Sequence, residues 1–370
     1  MAIGAILGQT FNAGNGIDIN ARDISIKLSE QEGNGLKFDE TGALLGGAGK
    51  RTCRFVIGTS TAGWTQEDCD YLCDGTDDQV EINAAIQALP SGGGEIVILD
   101  GTYNLSAPIT PNKYNVSIKG SGISTCLRRS SGEKTSKENS AGIAIKNNSN
   151  YAQISDLSVT SESGYRGIYI TGEHVNITTV FFSKGNYCLV TDTGAKYVSV
   201  VNCSLDDVSN SCQINNCDGF LCNNNNFYDS AITSDSSKNV VISNNAFDKA
   251  SFGAISISST LGNFDIIGNT FSNSEYGPVI DLRVFHNYKD VSSVNIVGNI
   301  FNNNSGESVI GINGSNCLIS GNILKETFTS SYKSITLESD SANNLVIGNV
   351  CIGGAPVDSG SNNTLVNNKY

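Results

Sequence analysis

Aspartate residues recur at regular intervals in the middle of the chain, at a spacing that could bring pairs of carboxyl groups together. Asp206 and Asp207 occur in one repeat, Asp229 in the next and Asp248 in the third. Glycoside hydrolysis uses two carboxyl groups, about 5 Å apart in retaining enzymes and about 6.5–9.5 Å apart in inverting ones. If successive repeats stack at about 4.8 Å, Asp207 lies beside Asp229, and Asp206 lies about 10 Å from Asp248. The spacing predicts candidate catalytic carboxylates; the alternative is that these aspartates are solvated corner residues.

A second candidate site lies in EYGPVIDLRVFHNYKD, residues 275–290, which combines carboxylates, aromatic rings and cations. Side-chain alternation is expected to point Asp281 and Arg283 outward, beside small residues of the neighbouring repeats. Such an insertion favours a sugar site, because function concentrates in loops that interrupt a repeat. Asp281 is a further catalytic candidate, and the alternative is a surface loop with an ordinary Asp–Arg ion pair. The candidate substrate-binding residues are Glu275, Tyr276, Arg283, His286 and Tyr288.

Other kinds of chemistry have little support in the sequence. The chain has only 2 His, which argues against His-rich metal sites and catalytic triads. Asp74, Asp77 and Asp78 could form a calcium loop, but capping of the helix that follows also explains them. Cys69 and Cys73 offer only two metal ligands. We therefore expect no metal site and no cofactor.

An internal repeat runs from about residue 150 to the end of the chain and sets the positions of these candidates. Seven of its ten reference positions are Asn, each preceded by Gly or Asn. The residues three before and two after every reference position are apolar or aromatic. The reference positions are Leu157, Val180, Cys203, Asn225, Asn245, Asn269, Asn299, Asn322, Asn349 and Asn368.

The repeat predicts short strands separated by corners. The Gly-Asn step is expected to turn the chain, because both residue types tolerate φ > 0, and the Asn amide is expected to hydrogen-bond to the Asn of the next coil. A unit this short cannot bury its own apolar face, whereas stacked coils can. We therefore expect a solenoid of about ten or more coils. A leucine-rich repeat is the rival, but the chain has no Leu-rich consensus.

The segment before the repeat reads CDGTDDQVEINAAIQALPSGGGEIVILDGTY, residues 73–103. Its apolar stripe predicts a helix over residues 79–89, with Asp78 and Glu81 in a capping box and Pro90 after the last turn. This order resembles the start of pectate-lyase-like right-handed parallel β-helices, in which such a helix caps the open end of the coil. The resemblance covers residues 55–370 and implies an all-β, right-handed, single-stranded parallel β-helix.

The resemblance does not assign an activity, because that superfamily includes lyases, hydrolases, epimerases, viral tailspikes and non-enzymatic surface proteins. The signature residues of its polygalacturonases and pectate lyases are absent as sets. If the protein cleaves a glycan, hydrolysis with one Asp as acid and another as base or nucleophile is favoured over metal-dependent elimination.

The first 50 residues differ from the rest of the chain. GNGIDINARDISIKL, residues 14–28, and GNGLKFDETGALLGG, residues 33–47, are imperfect copies. They resemble N-terminal parts of phage and prophage tail proteins, which attach to the particle or interlock subunits; a flexible leader is the alternative. We expect an attachment segment at 1–50, the opening part of the β-helix at 51–125 and coils at 126–370, with RRSSGEKTSKEN, residues 128–139, as an exposed loop.

The composition of the chain limits the cellular compartments and the binding partners that we expect for the protein. A net charge of −13 repels a phosphate backbone, so nucleic acid is not an expected partner. The 11 Cys lack a framework spacing, and no apolar run reaches the roughly 20 residues of a membrane span. The start, MAIGAILGQT, lacks the features of a signal peptide. These features indicate a soluble protein made in a reducing cytoplasm with free thiols and no membrane insertion.

The sequence predicts a phage or prophage tail spike or fibre protein that binds a bacterial surface polysaccharide. The resemblance implies a homotrimer in the virion tail, attached to other tail proteins through the N-terminal segment. Whether it also cleaves the glycan stays open. One alternative is a stand-alone polysaccharide hydrolase or lyase in the bacterial cytoplasm or, after non-classical release, at the cell surface; the other is a non-catalytic adhesin. Because the last repeat ends at Tyr370, we expect subunits or a further domain to cover that edge.

Overall fold

The computed structural model describes the backbone of residues 17–20, 23–26, 36–38 and 44–46, and residues 53–185, 187–251, 253–275, 277–283, 291–305, 308–325 and 333–370, without the side chains of residues 207–211. The chain divides into two units, Met1–Thr52 and Cys53–Tyr370. In the first unit, β1 (Ile17–Asn20) pairs antiparallel with β2 (Asp23–Ile26), and β3 (Leu36–Phe38) with β4 (Leu44–Gly46). Each imperfect sequence copy therefore contains one antiparallel pair.

The second unit is a right-handed parallel β-helix of about 11 turns, which confirms the predicted fold. Its strands form three parallel sheets, named A, B and C. Sheet A contains β5 (Arg54–Thr59), β7 (Gly94–Ile98), β9 (Val116–Lys119), the first parts of β12 (Gln153–Ser161) and β14 (Asn176–Ser183), β16 (Lys196–Val201), β18 (Asp218–Asn223), β20 (Lys238–Ser243), β23 (Phe264–Ile267), β26 (Val294–Val297), β29 (Leu318–Ser320), β32 (Leu345–Ile347) and β35 (Thr364–Val366), and β6 (Tyr71–Cys73) pairs with β5.

From the coil that begins with β9 to the coil that begins with β32, sheets B and C follow sheet A. Sheet B contains β8 (Gly101–Leu105), β10 (Thr125–Arg129), the second parts of β12 and β14, the first parts of β17 (Ser204–Asn215) and β19 (Asn226–Asp235), β21 (Ala246–Asp248), β24 (Thr270–Ser272), β27 (Ile300–Asn302), β30 (Ile323–Lys325) and β33 (Val350–Ile352). Sheet C contains β11 (Ala141–Ile145), β13 (Arg166–Ile170), β15 (Tyr187–Thr191), the second parts of β17 and β19, β22 (Ile255–Ile257), β25 (Ile280–Leu282), β28 (Ser308–Ile312), β31 (Lys333–Leu337) and β34 (Val357–Asp358).

The corner between sheets A and B is made by two residues with separate roles. The residue before each reference position has φ between 53° and 66°, from Asp156 to Asn367. Gly and Asn reach this left-handed conformation at low cost. The reference Asn itself is buried; Asn269 and Asn299, for example, are 0% exposed. The residue before the reference position therefore turns the chain, and the reference Asn fills the inside of the corner.

The buried Asn residues form a ladder along the β-helix axis, as the sequence predicted. From Asn225 to Asn349, each backbone N–H and each side-chain Nδ2–H donates to Oδ1 of the next Asn, at 2.8–3.1 Å. Each Nδ2 from Asn225 to Asn368 also donates to a carbonyl of an earlier coil, such as that of Ile242 for Asn269. The ladder satisfies polar groups that would otherwise be buried without partners.

The core consists of inward-facing apolar residues stacked coil on coil. Phe227, Phe247, Phe271 and Phe301 stack with ring centroids 4.4, 4.9 and 4.8 Å apart. All eleven cysteines are free, and Cys222, Cys317 and Cys351 are buried, as predicted from their places in the apolar columns. No helix in the described ranges is long and apolar enough to cross a membrane.

The capping helix, α1 (Gln79–Ala88), lies where the sequence placed it, but the predicted capping box is wrong. Asp78 makes no side-chain cap hydrogen bond to the helix. Its carboxylate instead accepts hydrogen bonds from the backbone N–H groups of Gly75 at 2.8 Å and Asn104 at 2.6 Å. Glu81 places Oε2 in the interior without a hydrogen-bond partner. The Asp78 carboxylate therefore links helix α1 to strand β8 through a hydrogen bond.

Residues 131–136 are exposed, as expected for a loop, but Arg129 at the start of the segment of residues 128–139 is fully buried. Its guanidinium donates to the carbonyl oxygens of Leu105 at 3.1 Å, Asn139 at 2.7 Å and Ala141 at 3.0 Å. The guanidinium carbon also lies 4.7 Å from the ring centroid of Tyr165. A buried cation surrounded by carbonyl groups thus holds this segment against the coil.

Candidate functional site

A row of three side chains on sheet B is the best-formed part of the predicted site. Parallel pairing places Asp206 beside Tyr228, and Tyr228 beside Asp248, in three successive coils. Tyr228 is 44% exposed, and both aspartates are partly exposed on the same outer face. Asp206 and Asp248 are therefore two coils apart, as the sequence predicted, or about 10 Å between their Cα atoms.

Hydrogen bonds fix the positions of two members of this row. Asp248 accepts a hydrogen bond on Oδ1 from Nδ2 of Asn273 at 2.7 Å. Lys249 donates from Nζ to the Tyr228 hydroxyl at 2.9 Å, and Nζ lies 5.0 Å from that ring centroid. This hydrogen bond raises the pKa of Lys249, so the cation persists beside the phenol. The result is an exposed ring between two carboxylates, with a cation at its hydroxyl.

Asp229 lies at the corner that follows this row. Its backbone is left-handed, with φ of 43°, and its carboxylate accepts a hydrogen bond from the hydroxyl of Ser251. The strand register pairs Asp206 with Tyr228 and Val208 with Ser230, so the backbones of Asp207 and Asp229 lie side by side. The Asp207 side chain lies outside the described residues. Asp229 therefore borders the row on sheet B.

The remaining carboxylate, Asp281, lies on a different sheet. As predicted, it pairs with Ser256 and Gly311 in sheet C. Only 6% of Asp281 is exposed, and its carboxylate accepts hydrogen bonds from Nε of Arg283 at 2.9 Å and from Nη2 at 3.3 Å. The Arg283 stem covers Gly311, where an added Cβ would lie 3.1 Å from Cδ. The Asp281–Arg283 ion pair covers part of the outer face of sheet C and is separate from the aspartates on sheet B.

The candidate substrate-binding residues are described only in part. Glu275 is exposed, and its carbonyl oxygen accepts a hydrogen bond from the hydroxyl of Ser305 at 3.3 Å. Arg283 donates hydrogen bonds to the carboxylate of Asp281. Tyr276, His286 and Tyr288 lie outside the described residues. The site predicted for residues 275–290 therefore stays a prediction, while the sheet B row has a defined geometry.

One further group contains potential metal ligands. Atoms of Cys73, Asp78 and Glu81 lie within 4.8 Å of one another beneath helix α1. Burial raises the pKa of all three groups, which favours their protonated forms. Both carboxylate oxygens of Asp78 already accept backbone N–H groups. These features suit a structural role under the helix better than metal binding, which requires deprotonated ligands.

The sequence analysis missed a set of exposed aromatic residues on the opposite edge of sheet A. Tyr151, His174 and Tyr197 occupy equivalent positions in three successive coils, six residues before the reference position. Tyr151 and His174 have ring centroids 4.4 Å apart, and His174 and Tyr197 4.7 Å apart. An alignment of the repeats at that column, which was not apolar overall, would have revealed them.

Comparisons with known proteins agree with this architecture. A family described as a right handed beta helix region matches residues 109–271. The DFA-IIIase from Arthrobacter chlorophenolicus A6 without its lid, in complex with GF2, has 13% identity and a TM-score of 0.63, covering 85% of this chain and 94% of that chain. PfbA, a surface adhesin of Streptococcus pneumoniae, has 14% identity and a TM-score of 0.51, covering 80% of this chain and 90% of that chain.

The Dettilon tailspike protein has 18% identity and a TM-score of 0.49, and the match covers 80% of this chain and 64% of the tailspike chain. No curated protein matches the chain in sequence. At these identities the structural likeness shows the fold alone. The chain is a right-handed parallel β-helix protein.

Proposed function

We propose that this protein binds a bacterial cell-surface polysaccharide, as a tail spike or fibre protein of a phage or prophage. The observation that carries the proposal is the sheet B row, in which Tyr228 stands half exposed between Asp206 and Asp248. A sugar ring has apolar C–H faces and a rim of hydroxyl groups. An aromatic ring offers apolar surface with a polar tip, and the flanking carboxylates accept hydroxyl hydrogen bonds.

The shape of this face also favours a chain-like ligand. Sheet B is a continuous parallel sheet, so each coil repeats the same outward position at about 4.8 Å. A polysaccharide lying along the β-helix axis would meet Asp206, Tyr228 and Asp248 in turn. Lys249 holds the Tyr228 hydroxyl at 2.9 Å, so the ring is positioned before a ligand arrives. Preorganisation of this kind lowers the entropic cost of binding.

Hydrolysis of the bound glycan is a second candidate, supported by the two-coil separation of Asp206 and Asp248. This spacing is compatible with an inverting mechanism, in which carboxyl groups about 6.5–9.5 Å apart leave room for a water molecule. Asn273 donates a hydrogen bond to Oδ1 of Asp248 at 2.7 Å, which fixes the orientation of that carboxyl group. Asp248 would then activate the water, and Asp206 would protonate the leaving oxygen.

We propose a homotrimer in the virion tail, with residues 1–50 attaching it to other tail proteins. Support for self-association comes from a set of outward-facing apolar residues on the last coils, here called the C-terminal apolar face, with the exposed Lys325 beside Ile352. It consists of Ile267, Val297, Ile300, Ile323, Leu345, Ile347, Val350, Ile352 and Val366. A chain with a net charge of −13 repels its copies elsewhere on the surface, so this face is suited to their contact.

The test is affinity electrophoresis of the protein through gels that contain purified capsular polysaccharides or lipopolysaccharide O-chains, with a parallel assay of reducing ends. We expect at least one polysaccharide to retard the protein, and Asp206→Asn to weaken the retardation. If the protein cleaves, Asp206→Asn and Asp248→Asn abolish reducing-end release. Asp265→Asn is the matched control, because Asp265 also accepts a hydrogen bond from an Asn at 2.7 Å but lies on sheet A. Migration unaffected by every polysaccharide contradicts the proposal.

A further inference from the structure

A ladder of exposed aromatic rings follows one edge of sheet A over four coils. It consists of Tyr114, Tyr151, His174 and Tyr197, here called the aromatic ladder. The outermost pair, Tyr114 and Tyr151, has ring centroids 5.0 Å apart and a tilt of 47°, and the other rings are stacked. The three tyrosines are 51%, 42% and 56% exposed. The ring edges and hydroxyl groups of the tyrosines therefore form a narrow exposed row on the surface.

The backbone under the ladder is unfavourable for two of its tyrosines, Tyr151 and Tyr197. Tyr151, His174 and Tyr197 have φ of 64°, 56° and 54°, in the left-handed region. A bulky residue such as Tyr is strained there, whereas Gly and Asn are not. Other coils use Gly, Asn or Ser at the same position, with φ also above zero: Gly219, Asn239, Ser293, Asn316, Asn343 and Asn362.

Strained residues persist where a function requires them. The fold does not need an aromatic ring at this corner, because six other coils make the same turn with Gly, Asn or Ser. The rings are also too exposed to add much to the core. Two strained tyrosines in a short, continuous exposed row therefore indicate a contact made with something outside the chain.

The surroundings of the ladder favour a saccharide over a protein. On one side run Gln153, Asn176 and Ser199, which point outward from sheet A and offer hydrogen-bonding groups. On the other side Glu173 and Lys196 form an ion pair of 2.8 Å. The apolar strip is one residue wide with polar rows on both sides, which fits a sugar chain better than a broad apolar protein interface.

We propose that the aromatic ladder is a second saccharide-binding surface, which holds the same glycan chain at a distance from the sheet B row. The inference rests on the proposed function, since it assumes a glycan ligand. Ring edges contact the C–H groups of the sugars, the tyrosine hydroxyls bond to sugar hydroxyls, and the amides of Gln153 and Asn176 bind along the flank. Two such surfaces on one rod increase the effective concentration of a long polymer at each site.

The substitution that tests this inference is the double variant Tyr151→Asn/Tyr197→Asn. It removes the rings but inserts the residue that other coils use at this corner, so the fold should retain or gain thermal stability. We expect the apparent affinity for the polysaccharide that retards the wild type to fall at least tenfold. Tyr151→Phe/Tyr197→Phe, which keeps the rings, should retain part of the affinity. Asn343→Ala, in the same column but far from the ladder, is the control.

The outcomes separate this inference from the proposed function. Unchanged affinity in the Asn double variant, with loss of affinity in Asp206→Asn, overturns the aromatic ladder as a binding surface and leaves the proposed function intact. A fall in melting temperature with unchanged affinity assigns the ladder a purely structural role and also overturns the inference. If no polysaccharide binds the wild type, both are overturned.

Discussion

Asn269 and Asn299 are joined by two hydrogen bonds that converge on one atom. The backbone N–H of Asn269 donates to Oδ1 of Asn299 at 2.8 Å, and Nδ2 of Asn269 donates to the same oxygen at 3.1 Å. Both residues are 0% exposed. Because Asn269 in turn accepts the same pair of bonds from Asn245, each ladder residue is bonded to the coils on both sides. The repeated Asn is therefore a structural group that fixes the stacking of the coils.

Replacing Asn269 with Ala should destabilise the β-helix strongly. The change leaves two buried donors of Asn245 and the carbonyl oxygen of Ile242 without partners. Each unsatisfied buried group costs about 1–3 kcal/mol, so we expect a loss of roughly 3 kcal/mol or more in the free energy of unfolding by urea. Asn226→Ala, at an exposed position on sheet B, is the control and should change little. Equal effects of the two substitutions contradict the role of the ladder.

The ladder explains why so much of the fold was predictable from the sequence. Each coil repeats the same constraints, so the apolar columns and the Gly-Asn corners are repeated many times along the chain. Residues used once are different. The capping box at Asp78 and Glu81 fits the local sequence rule, but the contact between Asp78 and Asn104 joins residues distant in the chain. Likewise, the burial of Arg129 depends in part on the carbonyl group of Leu105, which belongs to the preceding coil.

Arg129→Met should release the segment of residues 130–140 while the coils stay folded. The substitution keeps most of the apolar stem but leaves the carbonyl oxygens of Leu105 and Asn139 without their donor. We expect trypsin to cleave at Lys134 or Lys137 at least tenfold faster than in the wild type, with little change in far-UV circular dichroism. Arg128→Met, which removes the exposed ion pair with Glu162, is the control. Unchanged cleavage rates would show that other contacts hold the segment.

Glu81→Gln should change how stability depends on pH. Burial raises the pKa of Glu81 in the folded protein, so folding favours the protonated carboxyl group. This stabilising effect is complete below the unfolded pKa of about 4.3 and is lost as the pH rises through the folded value. Gln imitates the protonated form. We therefore expect a higher melting temperature than the wild type at pH 7 and no difference at pH 3.5.

Glu67→Gln is the control for this experiment, because it removes the same charge from an exposed position. Asp78 retains its own raised pKa in the variant, so part of the pH dependence should remain. A melting temperature that falls at pH 7 would mean that the Glu81 carboxylate makes a stabilising contact.

Charges placed on the C-terminal apolar face should prevent self-association. Ile300→Lys with Ile323→Lys puts two cations on neighbouring coils of sheet B, where the side chains face outward. We expect light scattering after size exclusion to give a trimer mass for the wild type and a monomer mass for this variant. Thr270→Lys, which lies one coil earlier in the same row, is a milder control. A monomeric wild type contradicts the proposed homotrimer.

The site was harder to predict than the fold, for a reason visible in its residues. The sequence placed Asp206 two coils from Asp248, because the repeat fixes that register. It placed Asp281 in a second candidate site, and in the structure Asp281 lies on sheet C and is paired with Arg283. Tyr151 and Tyr197 were missed because their importance depends on exposure and on φ, neither of which a residue pattern gives directly.

Binding of the glycan by the sheet B row is tested by the dissociation constant of the Tyr228→Ala variant. The measurement uses isothermal titration with the polysaccharide that retards the wild-type protein, and Leu261→Ala, at an exposed apolar residue outside the row, is the control. We expect an increase in Kd of about tenfold for Tyr228→Ala, or about 1.4 kcal/mol, and no change for Leu261→Ala. Equal affinity of Tyr228→Ala and the wild type would contradict it.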